Sequence, residues 1–255
     1  MPVIKNEMPI LEYDTEKDGV IMPNRHGRNA LPEICVMTFF GEVLQAFVAK
    51  HNAEIINEYV SEMRSFPIYK LQYKGIDICV VQAAVGSASI AMMMDYVIGH
   101  GVKRIIACGG CGVLADIPAG DVIVPVSALR DEGASYHYLP PAREIALDSS
   151  MISLIKNTLA KHEVPFIECK TWTTDALLRE TPDMITYRKE EGCQVVEMEC
   201  ATLAAVARFR GVEFGQLLYS GDILFDLSNY DDRDWANNTT AREKLFYLAL
   251  EVAIA

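Results

Sequence analysis

Two carboxylates stand two residues apart at the end of an apolar run in "VVEMEC" (195–200): Glu197 and Glu199. Acids in such a place are costly unless something binds them, and alternation along an extended strand directs both to one face. In the next apolar run, "QLLYSGDIL" (216–224) delivers Ser220, Gly221 and Asp222 to its end. Two neighbouring strands presenting acids suit a polyhydroxyl ligand with a proton donor beside it. A plainer reading stands next to each. Glu199 favours the positive end of the helix that follows, with Glu197 ion-paired nearby, and Asp222 is a turn former.

A third stretch, "IIACGGCGVL" (105–114), places Cys108 and Cys111 in a Cys-x-x-Cys. A structural zinc needs about four ligands. There is no second Cys-x-x-Cys, and His26, His51, His100, His137 and His162 show no ligand-like pairing. No metal site is expected. A thioredoxin-type pair normally opens a helix that activates the thiol, whereas "GVLADIPAGD" reads as turn and loop leading into a strand. Two readings remain for Gly109, Gly110 and Gly112: a simple tight turn after the strand, or a turn whose bare backbone approaches a ligand.

The elements that must hold these residues alternate along the chain. Strands are expected at 33–40, 103–109, 121–129, 165–172, 193–199 and 212–222, with a hairpin over 68–84 turning at Lys74-Gly75. Helical spacing starts at Gly41 with Val43, Leu44, Phe47 and Val48, and covers 86–101 through Ile90, Met93, Met94, Val97 and Ile98. Further helices are expected near 148–163 and 181–191, from 200 to Arg210, and from about Thr240. Residues 130–144 and 226–238 read as loops, the second acidic and aromatic enough for a lid or for a plain surface loop. Strands alternating with helices imply an α/β fold with a mostly parallel sheet covered on both faces, whose ligands sit beyond the carboxyl ends of the strands. At 255 residues a single domain over 1–255 is expected, with 1–30 as an N-terminal extension.

Composition narrows the partners. A formal charge of −12 and the lack of any Lys/Arg cluster oppose binding to nucleic acid or anionic membranes. Seven cysteines, an odd number lying in apolar segments, suit reduced thiols. The N-terminus carries charges where a signal peptide is apolar, and no apolar run reaches the roughly 18 residues of a membrane span. A cytoplasmic protein acting on a small molecule is expected, and any phosphate site must be built locally from arginines and backbone amides.

Three segments together, "VVEMECATLAAVA", "AVGSASIAMMMDYVIGHGVKRIIACGGCGVL" and the "SGD" one strand later, resemble the nucleoside phosphorylase superfamily of purine nucleoside and uridine phosphorylases and methylthioadenosine-type nucleosidases. The resemblance runs from about Ile34 to Asp222. It implies a mixed, twisted, partly barrel-like sheet wrapped by helices, in a dimer-based homo-oligomer, up to a hexamer, whose subunits complete each other's sites. It also implies that Glu199 binds the ribose hydroxyls, with Met198 beneath the sugar, Glu197 beside it, and Val85, Gly86 and Ser220 in the substrate pocket. Asp222 would protonate N7 of a purine leaving group, and Trp172 would stack on the base. His26 would contact the ribose 5′-hydroxyl across a subunit interface, and Arg233 or Arg242 would support Asp222. Phosphate would rest on Gly109, Gly110, Gly112 and a neighbouring subunit's Arg64.

The chain departs from that pattern where phosphorylases hold phosphate. Gln45 and Ala107 replace two arginines, and Gly110 replaces a hydroxyl residue. Glu42 falls where nucleosidases keep the carboxylate that activates water. The expected activity is phosphorolysis of a purine nucleoside to free base and pentose 1-phosphate, a pentosyl transfer of nucleotide salvage, with phosphate as co-substrate and no cofactor. Hydrolysis through Glu42 and nucleoside binding without catalysis are the alternatives.

Overall fold

The computed structural model describes residues 3–24 and 30–255. The chain runs through β1 (Ile34–Thr38), α1 (Gly41–Lys50), β2 (Glu54–Val60), β3 (Ser65–Tyr73), β4 (Ile76–Gln82) and α2 (Ser87–Gly99). Then follow β5 (Arg104–Val113), β6 (Val122–Asp131), β7 (Glu144–Ala146), α3 (Ser149–Lys161), β8 (Phe166–Thr174) and α4 (Pro182–Glu190). β9 (Cys193–Glu197), α5 (Cys200–Arg210), β10 (Glu213–Ile223) and α6 (Thr239–Ala253) complete it. Local chemistry sets several ends. Asp148 caps α3 by accepting from the N–H groups of Ser150 and Met151, Thr181 caps α4 ahead of Pro182, and α5 stops at Gly211 with φ +76°.

The strands join in the order β10-β6-β8-β9-β5-β1-β4-β3-β2, with β7 on β6, and β10 also pairs with β5. That last pairing closes β5, β10, β6, β8 and β9 into a ring. The sheet is mixed: β1–β4, β1–β5, β5–β10, β6–β8 and β8–β9 are parallel, while β2–β3, β3–β4, β5–β9, β6–β7 and β6–β10 are antiparallel.

Continuous apolar strands fit because both faces are covered. On one side Cys35, Met37 and Ile105 pack with Met93 and Met94 of α2 and Leu203 of α5; on the other Val36, Ile106 and Leu217 pack with Leu44 of α1, Ile155 of α3 and Phe246 of α6. Among the described residues no helix is long and apolar enough to cross a membrane.

Three features depart from expectation. Gly109, Gly110 and Gly112 are not in a turn: β5 continues through them, pairing Leu218 with Gly109, Tyr219 with Gly110 and Val196 with Gly112. Strand β2 has a largely exposed, polar pattern because it closes the sheet edge, and β7 is three residues inside the expected 130–144 loop. Neither carries enough apolar alternation to announce itself.

Candidate active site

A cavity of about 350 Å³ opens where β5, β9 and β10 end. Its lining includes Val85, Gly109, Gly110, Cys111 and Gly112, the run Val196–Glu199, then Gly221 and Asp222. The acids from β9 and β10 therefore face one space. The glycines of β5 make that space: a Cβ on Gly109 would sit 2.8 Å from the Phe39 ring, and one on Gly112 would sit 2.3 Å from Leu224.

Alternation does not orient Glu199. β9 ends at Glu197, the chain turns, and Glu199 becomes the residue that precedes α5. It is Glu197 that meets the helix N-terminus, accepting from the N–H groups of Glu199 (2.7 Å) and Cys200 (2.6 Å) and from the hydroxyls of Thr173 (2.6 Å) and Thr171 (3.3 Å). Burial raises the Glu197 carboxyl, and these donors oppose the rise. Glu199 accepts the N–H of Gly86 at 2.7 Å, where φ is +92° just ahead of α2. Burial first, and the charge of Glu197 second, push Glu199 up to about 8. Burial and mutual repulsion thus act against the charged form of both carboxyls, and Glu199 has the fewer donors to offset them.

At the Asp222 end, burial raises the carboxyl pKa, while the Tyr230 hydroxyl, donating at 3.2 Å, opposes it. Tyr230 comes from the 226–238 loop, whose Trp235 lines the cavity and receives the Tyr219 hydroxyl on its carbonyl at 3.0 Å. Arg233 donates to the carbonyls of Ile117 and, at 3.5 Å, Gly221, so it supports the backbone beside Asp222. Glu180, which sequence reasoning did not single out, is pushed up to about 8 by burial and by Asp222, and its Oε2 is buried without a partner. Only its tertiary surroundings mark it.

The expected anion ligands are dispersed. Gln45 is exposed and donates to the Tyr69 hydroxyl at 3.4 Å, and Ala107 is buried in the core. Arg64, in the β2–β3 turn, lies outside the cavity, donating to the Ser65 carbonyl with its guanidinium 4.9 Å from the Phe66 ring. Arg242 of α6 does line the cavity, but it is ion-paired to Glu42 at 2.6 Å and lies 5.4 Å from the Phe40 ring. Glu42 is thus tied to a cation, with its side chain 50% exposed, and is outside the lining. Cys108 and Cys111, three apart on one strand, belong to different core clusters, and burial raises both thiols.

Two further expected residues, Trp172 and Ser220, are not brought into the site. Trp172 is 1% exposed and packs with Leu129, Ile185 and Val196, its indole N–H donating to Asp131 at 2.9 Å. The aromatic residues at the cavity are Phe39, Phe40, Tyr219 and Trp235. Ser220 turns away: its hydroxyl bonds the carbonyl of Pro118 and accepts the N–H of Asp121, holding the turn before β6. His26 lies outside the described residues. Gln216, unremarked in the sequence, is buried in the cavity lining.

Comparison with known proteins gives a consistent picture. The sequence model of the phosphorylase superfamily matches residues 33–253. The chain is 25% identical over 162 residues to "Guanosine phosphorylase" of Halorubrum lacusprofundi, covering 63% of this chain and 67% of that protein. It is 28% identical over 232 residues to "Purine nucleoside phosphorylase DeoD-type" of Alkaliphilus metalliredigens, covering 84% and 91%. The fold is that of the uridine phosphorylase of Vibrio fischeri ES114, with a TM-score of 0.75 at 21% identity over 92% of this chain and 95% of that one.

Proposed function

The chain belongs to the phosphorylase superfamily, and from that premise we propose that it cleaves the N-glycosidic bond of a purine nucleoside, with inorganic phosphate as pentosyl acceptor. The observation that carries the reading is that Glu199 and Asp222 open onto one cavity. As the bond to the base breaks, positive charge grows on the sugar and negative charge on the base. Asp222 hands its proton to the base, and burial keeps that proton available. Glu199 and Met198 hold the sugar, and the carboxyl dipoles beside it offset the growing positive charge. The relatives from Halorubrum and Alkaliphilus, named as purine-type phosphorylases, support both the base and the acceptor. A homo-oligomer would let Arg64 of one copy reach the cavity of another.

One observation favours a second reading, with water as acceptor. Positions 45, 107 and 110 carry no charged or hydroxyl side chain, and Arg242 in the lining is already neutralised by Glu42. Base release from inosine, guanosine and adenosine, measured with and without phosphate, separates the two. Strict phosphate dependence with pentose 1-phosphate as product supports phosphorolysis. Full turnover in phosphate-free buffer replaces it with hydrolysis, and ligand binding without base release removes the enzymatic reading altogether.

A further inference from the structure

Trp235 lines the cavity and is 45% exposed, whereas Trp172, the chain's other tryptophan, is 1% exposed. The backbone around Trp235 is held in place. Its carbonyl accepts the Tyr219 hydroxyl at 3.0 Å, and the N–H of Ile223 donates to the Asp231 carbonyl at 2.8 Å. Arg233 and Asp234, the two residues just before it, adopt left-handed φ values of +50° and +49°. Such conformations cost non-glycine residues energy, and two in succession persist only where surrounding contacts impose them. The Trp235 Cβ comes to 3.5 Å from the position a Cβ would take on Gly221, the chain neighbour of Asp222. A strained and anchored turn thus sets a large, partly exposed indole beside the acid.

We propose that Trp235 is a specificity-determining residue that stacks on the base of the substrate. This rests on the nucleoside reading above and deepens it, because it makes a planar heterocycle the group recognised next to Asp222. Phe39, Phe40 and Tyr219 also line the cavity, and their positions set them aside. Phe40 and Tyr219 are 2% and 1% exposed, with ring centroids 5.7 Å apart, so they have little face to offer. Phe39 packs on Gly109, three residues before Gly112 on β5, about 10 Å of strand at roughly 3.3 Å per residue. It is Gly112 that lies against Asp222, so Phe39 is removed from the proton donor. In the reading above the sugar lies with Glu199 and Met198, and the group beside Asp222 is the base. A flat heterocycle stacks on an indole face, which offers an ionised phosphate nothing. The Arg242 guanidinium, 5.6 Å from the Trp235 ring centroid, helps to hold that ring in position.

Because the chain has two tryptophans and one is buried, the test reads indole fluorescence, corrected for light absorbed by the ligand, alongside kinetics on the full-length protein. Hypoxanthine, guanine and adenine are titrated as free bases, with ribose and inorganic phosphate as controls. The expected result is quenching by the base whose nucleoside the wild type cleaves, and none by ribose or phosphate. Trp235→Leu should abolish the quench and raise KM for that nucleoside about ten-fold, the order of a lost base–aromatic stack, with the melting temperature unchanged. Trp235→Phe, which keeps a ring, should recover most of the loss in KM. Inhibition by a base without quenching, an unchanged KM in Trp235→Leu, or a KM raised equally by Leu and Phe would each overturn the assignment while leaving the activity standing. A quench that follows protein concentration instead of base would overturn it in favour of a second copy covering the ring. A wild type quenched by a base that cleaves no nucleoside keeps the stacking and removes the catalysis. One that binds no base and cleaves no nucleoside overturns the functional reading and this inference together.

Discussion

Asp222 can act as an acid only while it carries its proton, and its neighbours work in opposite directions: burial raises its pKa and the Tyr230 hydroxyl lowers it by bonding the ionised form. Tyr230→Phe removes the lowering contact. The alkaline limb of the pH–rate profile should then move to higher pH, and a limb that stays in place would show that Asp222 does not set it. Asp222→Asn should cut base release by about 10²- to 10⁴-fold, the usual worth of a general acid. At this scale the sequence revealed the acids through position, since Glu197, Glu199 and Asp222 each close an apolar run. It was silent on Tyr230, Glu180 and Gln216, whose significance comes from what they face. It also pointed to Trp172, a residue type suited to stacking on a base, but β8 sends that ring into the core instead.

The element that shapes the cavity is β5, whose glycines remain in strand geometry because β10 and β9 supply their hydrogen-bonding partners. Read in sequence, a glycine cluster marks a break; without side chains it has no alternation to display, and only the pairing shows that the strand continues. Gly112 is the most constrained of the three, with Val196 at 3.1 Å and Asp222 Oδ1 at 3.3 Å from its hypothetical Cβ in addition to Leu224. Gly112→Ala should cost about 1–3 kcal/mol as overpacking, read as a lowered denaturation midpoint, and should slow base release by displacing Asp222. A variant with unaltered stability and rate would mean that Leu224 simply gives way. Helices act at this scale too. α6 brings Arg242 to Glu42, 200 residues away in the chain, so the pairing that removes Glu42 from the cavity lining is invisible in either segment alone.

Across the whole molecule, buried carboxyls couple folding to pH. Glu199 and Glu180 are both pushed up to about 8, so between the ordinary glutamate value and about 8 the folded chain holds protons that the unfolded chain has lost. Stability must therefore fall as pH rises through that window. Groups of opposite sign, such as Glu191, lowered to about 2 by Arg143 and Arg188, lose their contribution only at much lower pH. The melting temperature should accordingly fall from about pH 5.5 to pH 8.5, and Glu180→Gln should flatten part of the slope. A melting temperature that rises over this range would contradict the burial of both groups.

Local periodicity was sufficient to read the alternating strands and helices, the covered sheet and the acidic strand ends, because hydrophobic spacing and chain polarity are properties of neighbouring residues. The closing of β5 onto β10, the strand character of the glycines, the Glu42–Arg242 pair and the inward-facing Gln216 all depend on contacts between segments far apart in the chain. Such contacts form only when the ring closes, and they determine which polar groups reach the cavity and which are neutralised before a ligand arrives.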